Sequence, residues 1–215
     1  MQAAVIFDLD GTLIDSAADI HAAANRVFGR RGIAFTRAEV QGFVGRGAPN
    51  LVARLAESRG VAAEFDALLA EFLQDYESAQ GLTTLYPGVR AALEALAQAG
   101  YRLGLCTNKP LAPTRAVLRH FGLEALFPVV IGGDSLTVKK PDPAPLRAAL
   151  AALGGGAALF VGDSEVDAET AQAAAMPFLL YTEGYRKTAV EALPHTAAFS
   201  DFKDLLALVT ASTAP

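Results

Sequence analysis

The sequence predicts an α/β protein: a parallel β-sheet covered by helices on both faces, with an all-helical segment inserted after its first strand. Three observations predict it. The first apolar run, Ala3-Ala4-Val5-Ile6-Phe7, has no polar residue and no helical period, as a strand buried on both faces requires. Residues 16–80 then carry no strand signal, only helical stripes. From Tyr86 onward, short apolar runs alternate with amphipathic helical stripes, the rhythm of strands joined by right-handed helical crossovers.

Taken in order, Asp15 and Ser16 offer N-caps to a helix reaching about Arg30, ended by Gly32. Thr36-Arg37-Ala38-Glu39 has the capping-box pattern and starts a second, short helix. Leu51, Val52, Leu55 and Ala56 give a third stripe, and Phe65, Leu68, Leu69, Phe72, Leu73 and Tyr76 a fourth. Pro87-Gly88 opens a helix with an apolar face of Val89, Ala92, Leu93 and Leu96, ended at Gly100. A strand over 101–106 leads through Thr107-Asn108-Lys109-Pro110 to a helix ending near Phe121-Gly122. A strand over 128–131 precedes Gly132-Gly133-Asp134, and Lys139-Lys140-Pro141-Asp142-Pro143 precedes a helix to Leu153. The strand 157–161 runs into Gly162-Asp163-Ser164-Glu165-Val166-Asp167 and an alanine-rich helix to about Met176. A strand over 178–181 and a helix over 201–209 complete the pattern, with a frayed tail over the last few residues.

Composition narrows the function. The 215 residues are 52% apolar with a formal charge of −5, enough for a core of one large or two modest domains. A pI near 5.2 argues against a nucleic-acid surface, so an anionic substrate must be held by local positive charge or a metal. The chain enters a core strand at once and has no apolar run of about 18 residues, so neither a signal peptide nor a membrane span is expected and the cytoplasm is the expected compartment. The single cysteine, Cys106, lies inside an apolar strand and reads as a buried, inert thiol.

Polar residues cluster directly after strands: Asp8 and Asp10, then Thr107 and Asn108, then Lys140, then Asp163 and Asp167. In a parallel sheet those loops share one edge, where open α/β sheets bind ligands. Asp8 and Asp10, two apart in extended chain, point the same way, and their repulsion calls for a shared cation or a proton. Singly, each element has an ordinary role: Thr107-Asn108 as a helix cap, Lys140 as a solvated loop lysine, Asp163 and Asp167 as a cap and a first-turn acid. Together they supply what phosphoryl transfer to a carboxylate needs. Asp8 serves as nucleophile and Asp10 as proton donor and acceptor. Thr107 and Lys140 hold and neutralise the phosphate, and Asp163 with Asp167 completes an oxygen shell for a hard cation such as Mg²⁺.

These residues resemble the haloacid dehalogenase superfamily of phosphotransferases over nearly the full chain. Asp8-Leu9-Asp10-Gly11-Thr12 matches its first motif, Thr107-Asn108 its second, Lys140-Pro141 its third and Gly162-Asp163-Ser164-x-x-Asp167 its fourth. The resemblance implies a Rossmann-like catalytic core over 1–15 and 81–215 and a helical cap domain over 16–80. It also implies catalysis through an aspartyl phosphate, and Mg²⁺ bound by Asp8, the Asp10 carbonyl oxygen, Asp163 and, directly or through water, Asp167. Within the superfamily the chain is similar to the phosphoglycolate phosphatases, on Val44-Gly45-Arg46-Gly47, Tyr86-Pro87-Gly88-Val89, Thr107-Asn108-Lys109-Pro110, Gly132-Gly133-Asp134 and Lys140-Pro141-Asp142-Pro143. Ala175 departs from the glycine usual there. The implied protein is a monomer or homodimer acting on a small phosphorylated metabolite, 2-phosphoglycolate first. Thr107, Asn108, Lys140 and Arg46 are its expected substrate-binding residues, with Arg46 facing a substrate carboxylate. His21 reads as a satisfied surface or interface histidine. A sugar phosphomutase, a metal-free dehalogenase lacking an acid at Asp10, and a non-catalytic phosphometabolite sensor are the alternatives.

Overall fold

A computed structural model of the chain describes residues 3–77 and 81–213. The first apolar run forms strand β1 (Ala4–Phe7), every residue of which is buried. It lies between β4 (Arg102–Cys106) and β6 (Ala158–Gly162), both parallel to it. With β5 (Val129–Ile131), β7 (Phe178–Tyr181) and β8 (Ala197–Phe199) the main sheet has the order β5-β4-β1-β6-β7-β8, parallel throughout. The reversal of strand order around β1 is the switch point at which such sheets open a crevice.

The period of two in β1 divides the core. Val5 and Phe7 face one apolar cluster with α5 (Val89–Gln98), α6 (Leu111–His120) and α9 (Leu205–Thr213). Ala4 and Ile6 face the other, with Cys106, α7 (Ala144–Ala152) and α8 (Glu165–Ala174). Both faces are therefore dry, which explains the continuous apolar texture of β1. Burial also pushes the Cys106 thiol up to about 12, so it stays protonated.

The helical segment contains α1 (Ala17–Gly29), α2 (Arg37–Gln41), α3 (Ala48–Ser58) and α4 (Phe65–Tyr76). They enclose an apolar cluster of their own around Phe28, Val52, Leu55, Leu68 and Phe72. The capping box at α2 forms as the sequence predicts: the Glu39 amide donates to Thr36 Oγ1 at 3.3 Å and the Thr36 amide to Glu39 Oε2 at 2.7 Å. Arg26 on α1 pairs with Asp75 on α4 at 2.6 Å, and Arg31, just past α1, with Glu71 on α4 at 2.9 Å. The chain enters and leaves this segment through a two-stranded antiparallel ribbon, β2 (Ile14–Asp15) and β3 (Thr84–Leu85). The boundary expected at Gln80, and the end of the expected frayed tail, lie outside the described residues.

Three features differ from the sequence reading. The ribbon β2–β3 was not expected, because two residues per strand carry no periodicity. Nor was β8, which follows Pro194 and His195 and is too short to register as an apolar run. The last helix starts at Leu205, after a single 3₁₀ turn over Phe202–Asp204 whose N-cap is Asp201, and runs to Thr213. No helix among the described residues is long and apolar enough to cross a membrane.

Helix α8 ends at Ala175 in the left-handed region, φ 56° and ψ 43°, with the Met176 amide donating back to Ala171 O at 2.9 Å. Glycine suits this C-cap position because an L side chain there costs roughly 1–2 kcal/mol. Ala175→Gly removes that strain but gives the unfolded chain more freedom. A net gain of about 0.5–1 kcal/mol is expected, read as a rise of about 1–4 °C in thermal midpoint. An unchanged or lower midpoint would show that the strain at the turn does not exceed the unfolded-state cost of the glycine.

Candidate active site

Asp8 continues the β1 ladder, its amide donating to Val161 O at 2.9 Å, so its side chain leaves the carboxyl end of the central strand. The chain then turns tightly. The amides of Thr12, Leu13 and Ile14 all converge on the Leu9 carbonyl, and Gly11 adopts φ 91°. A Cβ on Gly11 would sit 2.4 Å from Asp163 Oδ2, so only glycine lets this loop close on the loop after β6. Thr12 Oγ1 donates to Asp163 Oδ1 at 2.8 Å, and the Tyr185 amide donates to Asp163 Oδ2 at 2.6 Å.

Lys140 rises between the two aspartate loops from the segment between β5 and α7. Its ammonium lies 2.8 Å from Asp8 Oδ1 and 2.6 Å from Asp167 Oδ1, with side-chain exposures of 2%, 10% and 1% for Lys140, Asp8 and Asp167. The ammonium also lies over the Phe160 ring, 5.2 Å from its centroid. Asp167 is fixed by the capping box of α8: its Oδ2 accepts from Ser164 Oγ at 2.6 Å and from the Ser164 amide at 3.1 Å. One residue thus caps a helix and holds the lysine.

Asp8, Asp163 and Asp167, all buried, each offer a carboxylate oxygen within 4.8 Å of the others. Three carboxylates face one lysine, and the excess negative charge must be relieved. Burial pushes Asp8 up to about 7 despite the nearby Lys140, and burial together with Asp167 and Asp8 holds Asp163 well above the ordinary carboxylate value. The donor set, all oxygen and anionic, suits a hard divalent cation of the Mg²⁺ kind. Asp167 has both oxygens engaged by Lys140 and Ser164, and Asp163 has both engaged by Thr12 and Tyr185, so Asp8, whose Oδ1 faces Lys140, is the freer donor.

The carboxylate of Asp10 is turned away from that trio. Its Oδ1 accepts from Ser16 Oγ at 2.6 Å and from Lys109 Nζ at 3.2 Å. Ser16 therefore begins α1 without capping it by side chain, because its hydroxyl serves Asp10. Thr107, at the end of β4, lines the cleft, and its Oγ1 accepts from the Lys109 amide at 3.2 Å. Asn108 Nδ2 donates to Lys140 O at 2.9 Å and to Gly45 O at 3.0 Å, joining the catalytic loop to the helical segment.

A cleft lies above these groups. Its floor is Asp8, Asp10, Thr107, Asn108 and Lys109, and its apolar walls are Ile20, Val44, Leu51 and Phe72, with Tyr76 beside Lys109. The structure thus brings Asp8, Asp10, Thr107, Asn108, Lys140, Asp163 and Asp167 to one sheet edge. It does not bring Arg46 there: that side chain is half exposed and lies 3.8 Å from Glu169 on α8. His21 bonds the Phe35 carbonyl at 2.8 Å and Asn25 at 2.8 Å within the helical segment. Sequence reasoning gave no site role to Lys109, Tyr76, Ser16 or Tyr185. Of these only Lys109 had a signal, its place in a strand-end loop.

An aspartate beside a buried lysine, an acidic trio and a helical insert, all at one edge of a parallel sheet, fit the scaffold of a hydrolase family. The chain matches the model of the haloacid dehalogenase-like hydrolase family over residues 2–175 and belongs to that family. It is a phosphoric monoester hydrolase similar to the phosphoglycolate phosphatases. It is 51% identical over 206 residues to the phosphoglycolate phosphatase of Cereibacter sphaeroides, covering 94% of each chain. To that of Rhodobacter capsulatus it is 48% identical over 213 residues, 97% of each. A crystal structure of a predicted phosphoglycolate phosphatase from Haemophilus somnus superposes with a TM-score of 0.89 at 31% identity, covering 95% of this chain and 96% of that one.

The raised value of Asp8 has a signed consequence. Without metal, the folded chain holds a proton on Asp8 that the unfolded chain releases at about 3.8, so this stability is lost as pH rises through about 7. A divalent cation displaces the proton and binds more strongly above that range. Millimolar Mg²⁺ should therefore raise the thermal midpoint more at about pH 7.5 than at about pH 5.5, and Asp163→Asn should lose most of the gain. Equal gains at both pH values would remove Asp8 from the cation site.

Proposed function

We propose that the chain is a Mg²⁺-dependent phosphomonoesterase acting through an aspartyl-phosphate intermediate on a small anionic phosphometabolite, 2-phosphoglycolate first. The observation that carries this is Asp8 itself, a carboxylate at the cleft floor with Lys140 2.8 Å away and a second carboxylate, Asp10, two residues on. The relatives named phosphoglycolate phosphatase support the substrate. On this reading residues 16–80 are a cap domain over a Rossmann-like core of 1–15 and 81–215.

An Asp8 carboxylate oxygen attacks phosphorus in line with the leaving oxygen. The bond to the alkoxide breaks, and Asp10 delivers a proton to it. In the second step Asp10 takes a proton from water as that water attacks the phosphorus, releasing phosphate and restoring Asp8. Lys140 stabilises charge on the equatorial oxygens, and Asp167 positions it from its helix cap. The Thr107 hydroxyl accepts from the Lys109 amide, which leaves its own proton to donate to the phosphoryl group. A cation held by Asp8, Asp163 and the Asp10 carbonyl oxygen, with Asp167 in support, would neutralise the phosphate and let it approach an anionic nucleophile. The apolar walls keep bulk water from the first step.

Phosphate release from a panel of small phosphoesters, with Mg²⁺ and with EDTA, tests the reading. Release should require the metal and peak on 2-phosphoglycolate. Asp8→Asn should fall to background while its circular dichroism and thermal transition persist, and near-native turnover in the folded variant would refute the covalent route. Asp10→Asn should lose about 10²–10⁴-fold in kcat. A loss below tenfold would remove Asp10 as the proton carrier.

A further inference from the structure

The cleft has a buried cation that the chemistry above leaves unused. The side chain of Lys109, on the loop after β4, is 5% exposed and lines the cleft. An ammonium has three protons. Among the described residues two of its contacts are polar: Asp10 Oδ1 at 3.2 Å and the hydroxyl of Tyr76, the last residue of α4. The ammonium also lies 4.2 Å from the centroid of the Tyr76 ring. Burial and the nearby Asp10 hold Tyr76 as a neutral phenol. The remaining walls are apolar, and Arg46 is turned outward to Glu169. A substrate with a second anionic group would leave it uncompensated against Ile20, Val44, Leu51 and Phe72 unless Lys109 received it.

The geometry points to Lys109, supported by Tyr76, as the subsite for the carboxylate of the substrate. This rests on the phosphomonoesterase reading of the cleft and adds the class of leaving group: a short alkoxide bearing a carboxylate close to its ester oxygen. Lys109 already neighbours Asp10, the proton donor to that oxygen, so a carboxylate on the adjacent carbon lies within its reach. The same lysine that charge-balances Asp10 then reads the acid group. Tyr76 belongs to the helical segment and Lys109 to the core, so the subsite is complete only when the two are together.

The test is a ratio. At saturating Mg²⁺, kcat/KM is measured for 2-phosphoglycolate and for ethyl phosphate, which has the same chain length and no carboxylate. Wild type should strongly prefer the acid, and Lys109→Met should lower the acid-to-neutral ratio by about 10- to 100-fold, the worth of one charge-assisted hydrogen bond. Tyr76→Phe should lower it severalfold, and decides the matter if Lys109→Met fails to fold. A folded Lys109→Met in which both substrates fall equally would overturn the subsite and leave the lysine acting only through Asp10. A ratio that collapses in Arg46→Met and persists in Lys109→Met would overturn it in favour of the arginine. Calorimetric binding of both esters to Asp8→Asn, with and without Lys109→Met, reads the same ratio without turnover. If no ester is hydrolysed, the phosphomonoesterase reading fails, while the binding ratio still upholds or refutes the carboxylate subsite.

Discussion

The structure turns on one buried cation. Lys140 lies between Asp8 and Asp167 with almost no solvent access, and an ammonium in such a place is tolerable only with anions in direct contact. Removing one partner of such a group costs about 3–5 kcal/mol. The requirement propagates outward. Asp167 must be fixed to receive the lysine, and the cap of α8 fixes it. Gly162 must lack a side chain because a Cβ there would lie 2.5 Å from the Asp167 Cβ. The β1 and β6 ends must be neighbours, and their parallel pairing makes them so. Charge is left over even then, since Asp163 joins the two aspartates without a lysine of its own. The fold thus builds an anionic excess into its driest polar region, which the chain cannot neutralise alone.

How much of this could be read from the residues follows the range of the interactions. β1, the doubly covered sheet and the capping box at Thr36 are local patterns, and they were legible. So was the meeting of Asp8, Thr107, Lys140 and Asp163, because parallel topology sends every strand-end loop to one edge. The contacts that finish the site are not local. Tyr76 meets Lys109 across 33 positions, and Tyr185 reaches Asp163 across 22; even the six-residue reach of Ser16 back to Asp10, where a cap was expected, follows no helical or strand period. No periodicity encodes such pairs. Arg46 differs for a related reason: its motif places Gly45 and Gly47 at the cleft, yet its own side chain pairs with Glu169 on α8, a partner 123 positions away.

Beside the surface pairs Arg46–Glu169 and Arg37–Asp15, two sets of contacts join the helical segment to the core. Asn108 ties Gly45 to the Lys140 backbone, and Lys109 meets Tyr76. At the other end the Tyr185 hydroxyl accepts from the Ser16 amide at 2.8 Å and donates to Asp15 at 2.8 Å, while Asp19 on α1 receives Thr83 from the returning chain at 2.6 Å. The first set consists of a few polar contacts over the cleft. The second ties the outgoing crossing through Tyr185 to Asp163, and the returning crossing through Thr83 to α1.

The ribbon of β2 and β3 carries a wider consequence. Ile14 faces Leu85 and Asp15 faces Thr84, so the chain departs and returns at adjacent points, about 5 Å apart in the hydrogen-bonding direction. Whatever sequence fills the interval, the six-stranded sheet sees the same closed doorway. Such an architecture is modular: the interior of the lobe can be rewritten, lengthened or exchanged for another without renegotiating the register of a single central strand. One scaffold with a fixed reaction centre can in this way acquire new substrate preferences through a part of the chain that lies outside its central sheet.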